Sequence, residues 1–166
     1  CIGTQDHGVW LPAIDPKEYP PGTVHLVTTV DTDWATDKRD RKSVCCAIFA
    51  ADGCQLGSII RKPCFLACSS GEAEFGGIRT ATLESYGYKQ LFEWLGFRVI
   101  WRVLTDSSAA RAMCFRDGVG KVRHMDIRLL YNQYAVKYLG LKVDRIPGTD
   151  NSADLGTKKH APAEHE

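Results

Sequence analysis

Three apolar runs stand one after another before the first helical segment, and this order restricts the possible folds more than any other feature of the sequence. The run VHLVTTVD starts at residue 24, and SVCCAIFAADG and CQLGSIIRKPCFLACS follow it. β-Branched residues are frequent in the first run, as they are in buried strands. The second run ends in Asp52 and Gly53, a pair that favours a tight hairpin turn. The sequence therefore predicts three consecutive antiparallel strands.

Helical and strand-like segments alternate in the rest of the chain. Ser69 followed by Glu72 has the spacing of a capping box, and helical periodicity continues from there to Gly96. The later segments are a strand (FRVIWRVLTD), a short helix (SSAARAMCF), a long amphipathic helix (VRHMDIRLLYNQYAVKYLG), a fifth strand (LKVDRIPG) and a terminal helix (NSADLGTKK). With the two adjacent helices counted together, the order βββαβαβα predicts an α/β fold, a mixed five-stranded sheet flanked by helices.

The length and composition are those of one globular domain, with 166 residues, of which 44% are hydrophobic and 25% charged. No apolar run approaches the roughly 18 residues of a membrane span, so we expect no membrane partner. The chain has seven cysteines and no C-x-x-C pair. This pattern favours reduced thiols without a disulfide partner, and a cytoplasmic or nuclear rather than secreted location.

Four acidic residues occupy positions from which they could reach a common point. Asp31 ends the first strand, Glu74 lies one turn into the first helix, Asp106 ends the fourth strand and Asp154 opens the last helix. Any one of them alone could be a turn former or a helix cap. Acids at the same ends of adjacent strands converge, however, and four carboxylates repel one another unless cations neutralise them. The set therefore predicts a divalent metal site.

Helix geometry distinguishes Glu74 from its neighbour Glu72. At about 100° per residue the two side chains point about 200° apart, so only one can face the site. Glu74 shares the apolar face that would pack on the sheet, whereas Glu72 is the expected capping-box partner of Ser69. Glu74 is therefore the candidate ligand. Asp33, two residues after Asp31, is expected to belong to a turn.

Basic residues are concentrated late in the chain, although the formal net charge is only +1. Near the start of the second long helix they include three residues that share a face, Lys121, His124 and Arg128, together with Arg123. These four are candidate phosphate contacts, since a helix N-terminus also favours an anion. A solvated helix face explains them equally well. Three of the tryptophans, Trp34, Trp94 and Trp101, are expected to pack in the core rather than to stack on bases.

Five strings in a fixed order resemble one protein family. The strings DTDWATDKRDRKS, SSGEAEF, LTDSSAA, RHMDIR and DNSADLGTK are similar to the ribonuclease H domain of copia-type LTR retrotransposon Pol polyproteins. The resemblance covers residues 24–160 and depends on the ordered set, because no single string is specific enough. It divides the chain into a domain at residues 23–160, a tail at 161–166 and a proline-containing connector at 1–22, which resembles the end of a reverse transcriptase.

The resemblance implies an RNase H-like fold that hydrolyses the RNA strand of RNA–DNA hybrids endonucleolytically during reverse transcription. It implies two Mg²⁺ ions, for which Mn²⁺ can substitute, held by Asp31, Glu74, Asp106 and Asp154 as catalytic residues. Asp31 would bridge the ions, Glu74 and Asp106 would bind the leaving-group ion, and Asp154 the nucleophile ion. The implied partners are the hybrid and the reverse transcriptase of the same polyprotein, in a cytoplasmic virus-like particle or the nucleus.

One departure and two alternatives accompany this interpretation. Cellular and retroviral enzymes of this fold carry a His in the loop before the last Asp, and the loop IPGTDNSAD has none. One alternative is a catalytically silent module of a polyprotein, against which the four intact acids argue. The other is another nuclease of the same fold, such as an integrase core. Integrase cores lack an early helical Glu in an EAEF pattern, so Glu74 argues against that alternative.

Overall fold

The computed structural model describes residues 20–35, 40–63, 65–120 and 126–157, which form a five-stranded sheet with packed helices. The strands are β1 (Thr23–Asp33), β2 (Val44–Ala51), β3 (Cys54–Arg61), β4 (Arg98–Thr105) and β5 (Lys142–Arg145). The helices are α1 (Ser70–Trp94), α2 (Ser108–Phe115), α3 (Tyr131–Tyr138) and α4 (Asp154–Thr157), with 3₁₀ turns at Ile127–Leu130 and Gly148–Asp150. The predicted α/β class and the predicted order of strands and helices are confirmed.

The sheet is mixed, with the strand order β3-β2-β1-β4-β5. The first three strands pair antiparallel, as predicted, and Asp52 and Gly53 both have positive φ in the turn between β2 and β3. β4 runs parallel to β1, and β5 runs parallel to β4. The carboxyl ends of the two neighbouring strands β1 and β4 therefore lie at the same edge of the sheet.

α1 covers one face of the sheet, because its apolar residues recur at helical spacing. Phe75, Ile78 and Ala81 are fully buried in one core with side chains of β1, β2 and β4. Burial of each larger apolar side chain contributes about 1.5–3 kcal/mol to the stability of the fold. Trp101 of β4 lies in the same core, and its Nε1 donates a hydrogen bond to Ser85 Oγ at 2.8 Å. This packing holds α1 against the sheet.

The region after α2 differs from the prediction of one long helix over residues 122–140. Asp126 is extended, with φ −61° and ψ 125°, and a 3₁₀ turn and then α3 follow it. Asp126 Oδ1 accepts the N–H of Arg128 at 2.9 Å. Such a local side-chain bond competes with helix continuation, so the chain begins a new helix here. Arg128 therefore lies in a 3₁₀ turn that begins after Asp126, and residues 121–125, which include Lys121 and His124, lie outside the described part of the chain.

Two of the three tryptophan predictions are wrong. Trp101 is buried as expected. Trp94, the last residue of α1, is 81% exposed, and Trp34 is 45% exposed with its Nε1 donating to the carbonyl of Ala67 at 3.1 Å. Helical periodicity shows which way a side chain points, and the packed neighbours decide whether it is covered. Near the end of α1 and after β1, the rings remain at the surface.

The predicted connector and tail fall mostly on residues 1–19 and 158–166, which lie outside the described part of the chain. Within that part, no helix has the length and apolar character needed to cross a membrane. The cysteines there that the structure shows as free thiols are Cys45, Cys46, Cys54, Cys68 and Cys114.

Candidate metal centre

Two neighbouring parallel strands bring Asp31 and Asp106 to the same edge of the sheet. Thr29 of β1 pairs with Leu104 of β4. Asp31 and Asp106 each follow two positions later, so they lie side by side. Asp106 directly follows β4, and Ser107, not Asp106, caps α2 through its side-chain oxygen. The carboxylate of Asp106 is therefore not used as a helix cap.

Glu74, one turn into α1, approaches the same point. One carboxylate oxygen from each of Asp31, Glu74 and Asp106 lies within 4.8 Å of the others. The side chain of Asp31 is buried, and those of Glu74 and Asp106 are half-buried. The structure thus brings together three of the four acids that the sequence selected, although Asp31 lies within β1, two residues before its end, and not at the end as predicted.

The environment of Glu74 opposes its negative charge. Burial, the largest cause, raises the pKa of the Glu74 carboxyl from its ordinary value of 4.5 to about 8. The negative charges of Asp31, Asp106, Asp154 and Asp33 raise this pKa further, in that order of effect. Without a cation, the cluster therefore retains a proton on Glu74 at neutral pH.

Asp154 lies near this group but is not among the three acids whose oxygens approach within 4.8 Å. It is the first residue of α4, which packs on β1 and β2, and its charge acts on Glu74. The loop before it passes close to Asp106, because a Cβ added at Gly148 would lie 3.4 Å from Asp106 Oδ2. The structure therefore places the fourth predicted acid beside the other three.

Asp33 is an acidic neighbour that the sequence interpretation assigned to a turn. It is instead the last residue of β1 and pairs with Val44 of β2. Because side chains alternate along a strand, Asp33 lies on the same face as Asp31. The two-residue spacing of the acids was the available signal, and the turn-like composition that follows it obscured where the strand ends.

Glu72 is occupied by the start of α1. Ser69 Oγ accepts the N–H of Glu72 at 3.2 Å, and Glu72 Oε2 accepts the N–H of Cys68 at 2.8 Å. The predicted pairing of Ser69 with Glu72 at the start of α1 is therefore present in the bond from the Glu72 N–H, and the Glu72 carboxylate also bonds to the residue before Ser69. With only 2% of its surface exposed, Glu72 has a structural role at the helix N-terminus.

The donor set fits a hard divalent cation. Mg²⁺ and Mn²⁺ prefer carboxylate oxygens, and three converge here. Glu74 Oε2 is buried and accepts no hydrogen bond within the described part of the chain. A buried charged oxygen in this state is costly unless a proton or a cation satisfies it. Asp31, Glu74 and Asp106 could therefore hold such an ion, with Asp154 beside them.

The structure describes only one of the four basic residues proposed as phosphate contacts. Lys121, Arg123 and His124 lie outside the described residues. The guanidinium of Arg128 forms hydrogen bonds with both carboxylate oxygens of Asp126, and these bonds lower the pKa of Asp126 to about 2. The positive charge of Arg128 is therefore partly balanced within its own turn.

Comparison with known proteins identifies the fold through solved structures. No protein-family model and no curated protein sequence matches the chain. The N-terminal RNase H domain of Rv2228c from Mycobacterium tuberculosis is 14% identical, with a TM-score of 0.53 over 81% of this chain and 91% of that chain. RNase H1 from the archaeon Halobacterium salinarum is 13% identical, with a TM-score of 0.52 over 81% and 94%.

A third similar structure is LC11-RNase H1, an enzyme isolated from compost, in complex with an RNA/DNA hybrid. It is 12% identical to this chain, with a TM-score of 0.51 over 85% of this chain and 99% of that chain. At such low identities the likeness concerns the fold alone. The chain has the RNase H-like α/β fold that the sequence predicted.

Proposed function

We propose that this chain is a metal-dependent ribonuclease H that cleaves the RNA strand of RNA–DNA hybrids endonucleolytically. The observation that carries the proposal is the convergence of Asp31, Glu74 and Asp106 within 4.8 Å on an RNase H-like fold. The hybrid bound to LC11-RNase H1, a protein of the same fold, supports the choice of substrate.

The four carboxylates would hold the catalytic cations, for which we propose two Mg²⁺ ions with Mn²⁺ as a substitute. When bound, these ions would supply an activated water for in-line attack and stabilise the leaving 3′-oxygen of the scissile phosphodiester. Metal binding would also change the protonation of Glu74. Its carboxyl, with a pKa raised to about 8, releases its proton when a cation balances the charges around it.

Substrate recognition would depend on backbone and groove shape rather than on base sequence. A hybrid presents phosphates and 2′-hydroxyls in a wide minor groove, which proteins recognise through shape. Lys121, Arg123, His124 and Arg128 remain our candidates for phosphate contacts. Replacing them would weaken hybrid binding by about the same factor for every base sequence.

The biological context that we propose is a retrotransposon polyprotein of the copia type. In that context the reverse transcriptase of the same polyprotein would generate and hold the hybrid, in a cytoplasmic virus-like particle or in the nucleus. The ordered strings described above carry this part of the proposal.

Incubation of the purified chain with an end-labelled RNA–DNA hybrid tests the proposed activity. We expect RNA fragments with 3′-hydroxyl ends in Mg²⁺ or Mn²⁺, and none in EDTA. The DNA strand, duplex DNA and duplex RNA should remain intact, which distinguishes this activity from that of an integrase or a general nuclease. The Asp106→Asn variant controls for a contaminating nuclease. Metal binding without cleavage of the hybrid would instead support a catalytically silent module.

A further inference from the structure

The segment that carries Asp154 forms hydrogen bonds with three consecutive residues of β1. Each bond joins the carboxyl end of β1 to a side chain between residues 151 and 157. The bonds run from Asn151 Nδ2 to the Val30 carbonyl at 3.1 Å, between Ser152 Oγ and Thr29 Oγ1 at 3.2 Å, and from Thr157 Oγ1 to Asp31 Oδ2.

Of these three bonds, the one from Thr157 is the one that reaches a carboxylate of the metal centre. The hydroxyl of Thr157 donates to one oxygen of Asp31, and it also lies 3.3 Å from the backbone carbonyl of Asp154. One side chain therefore contacts an acid from the first strand and the backbone of the acid that opens the last helix. These two acids are 123 residues apart in the chain.

α4 depends on such contacts for its position. It consists of four residues, Asp154–Thr157, and a helix of one turn has no stability of its own. It also lies directly against β2, because a Cβ added at Gly156 would meet Cys46 Sγ at 2.4 Å. The position of Asp154 is therefore determined by the contacts of α4 with β1 and β2 and not by the helix itself.

We propose that Thr157 is a positioning residue for the metal centre. By donating to Oδ2 of Asp31, its hydroxyl restricts the rotation of that carboxylate and anchors the turn that carries Asp154. It would touch neither the cation nor the substrate, and it acts through Asp31. This inference rests on the proposed function, since it assumes that Asp31 and Asp154 serve the same metal site.

Two substitutions at Thr157 distinguish the effect of the hydroxyl from that of the side-chain shape. Thr157→Val keeps the branched shape and removes the hydroxyl, whereas Thr157→Ser keeps the hydroxyl. We expect Thr157→Val to weaken Mn²⁺ binding to the substrate-free chain by about 10-fold or more, as is typical when a partner of a metal ligand is lost. On the hybrid, kcat should fall while KM stays unchanged. Thr157→Ser should restore both the affinity and kcat.

The matched control is Ser152→Ala, which removes a bond between the same two segments that does not involve a carboxylate. It should leave Mn²⁺ affinity within about twofold of the wild-type value, and thermal unfolding in EDTA checks that every variant is folded. Thr157→Ala is the substitute variant if Thr157→Val does not fold. Mn²⁺ binding is measured by titration calorimetry, without substrate and independently of cleavage.

The outcomes distinguish this inference from the proposed function. Wild-type Mn²⁺ affinity in the variant that lacks the hydroxyl would overturn the positioning role, even if the chain cleaves hybrids. An equal loss of Mn²⁺ affinity in Ser152→Ala would also overturn it, because the affinity would then depend on any bond between residues 151–157 and β1 and not on the bond to Asp31. Failure of the wild-type chain to cleave hybrids would overturn the proposed function, while a selective loss of Mn²⁺ affinity would still support the positioning of Asp31.

Discussion

Gly77 of α1 lies so close to Thr32 of β1 that a Cβ added at Gly77 would meet Thr32 Oγ1 at 2.1 Å. Glu74 lies three residues before Gly77, and Asp31 lies one residue before Thr32. The close approach of helix and strand therefore occurs next to two acids of the metal centre. The missing side chain at Gly77 allows α1 to approach β1 closely enough to bring Glu74 beside Asp31.

Gly77→Ala should destabilise the fold and reduce hybrid cleavage. The added methyl group has no space, and overpacking of this kind costs about 1–3 kcal/mol. Gly87→Ala is the matched control in the same helix, since an added Cβ there meets nothing within 4 Å. The control should stabilise by about 0.5–1 kcal/mol and keep its activity. Urea unfolding checks both, and equal stabilisation by the two substitutions would contradict the close packing.

Asp31→Asn and Asp106→Asn should each abolish detectable hybrid cleavage, because each removes a charged ligand from the proposed metal centre. In EDTA at neutral pH, both variants should be at least as stable as the wild type, since loss of one charge relieves repulsion within the cluster. Cleavage assays and thermal unfolding measure the two effects. Near-wild-type activity in Asp31→Asn would show that the site is assigned wrongly.

The two glutamates near the start of α1, Glu72 and Glu74, should respond differently to replacement by glutamine. Glu74→Gln should inactivate the chain, because it removes a proposed metal ligand, without destabilising the metal-free fold, because it replaces a carboxyl that is protonated at neutral pH with a neutral amide. Glu72→Gln should keep activity and cost about 1 kcal/mol, because the bond from the Cys68 N–H would become a neutral one. Cleavage rates and urea unfolding of both variants provide the comparison. Inactivation by Glu72→Gln alone would mean that the other helix face serves the site.

The stability of the metal-free chain should fall as pH rises toward 8. Glu74 has a pKa of about 8 in the folded chain, against an ordinary value of 4.5, so the folded state binds a proton that the unfolded state has released. The resulting stabilisation is fully present below about pH 4.5 and is lost as pH rises through about 8. Unfolding free energies in EDTA, compared with those of Glu74→Gln, isolate this effect. Parallel pH curves for the two proteins would contradict the raised pKa.

Hybrid binding by this chain alone should be weak and sensitive to salt. Its formal net charge is +1, so it can neutralise few phosphates, and each contributes a slope of about −0.9 in log K against log salt for duplex DNA. A longer chain that includes the neighbouring polymerase should bind and cleave better at about 0.15 M salt, because tethering raises the effective concentration of the hybrid. Equal hybrid affinities and cleavage rates for both chains would show that the polymerase does not help this domain to hold its substrate.

Local chemistry made much of the fold predictable. The Asp-Gly pair between β2 and β3, the Ser69 cap and the helical spacing of Phe75 and Ile78 act over a few residues, so they are readable in the sequence. The same spacing separates Glu74 from Glu72. The positions of Asp31 near the end of β1 and of Asp106 directly after β4 follow from the strand pattern, once the two strands are taken as parallel neighbours.

Contacts between distant segments decided the features that the sequence interpretation missed. β1 extends through Asp33 because β2 continues to pair with it, and no local signal records that partner. The predicted long helix does not run through Asp126, where the backbone is extended and the side chain accepts the N–H of Arg128. Trp94 remains exposed because nothing in the described part of the chain covers its ring.

The electrostatics of the site depend on tertiary structure most of all. The sequence names the acids, but the pKa of Glu74 is raised by its burial and by charges from β1, from Asp106 and from α4. The bond from Thr157 to Asp31 likewise joins chain segments that are more than a hundred residues apart. Residue types and local periodicity establish which groups are present. Only the folded chain establishes their distances and exposure to water, on which the energies of charged groups depend.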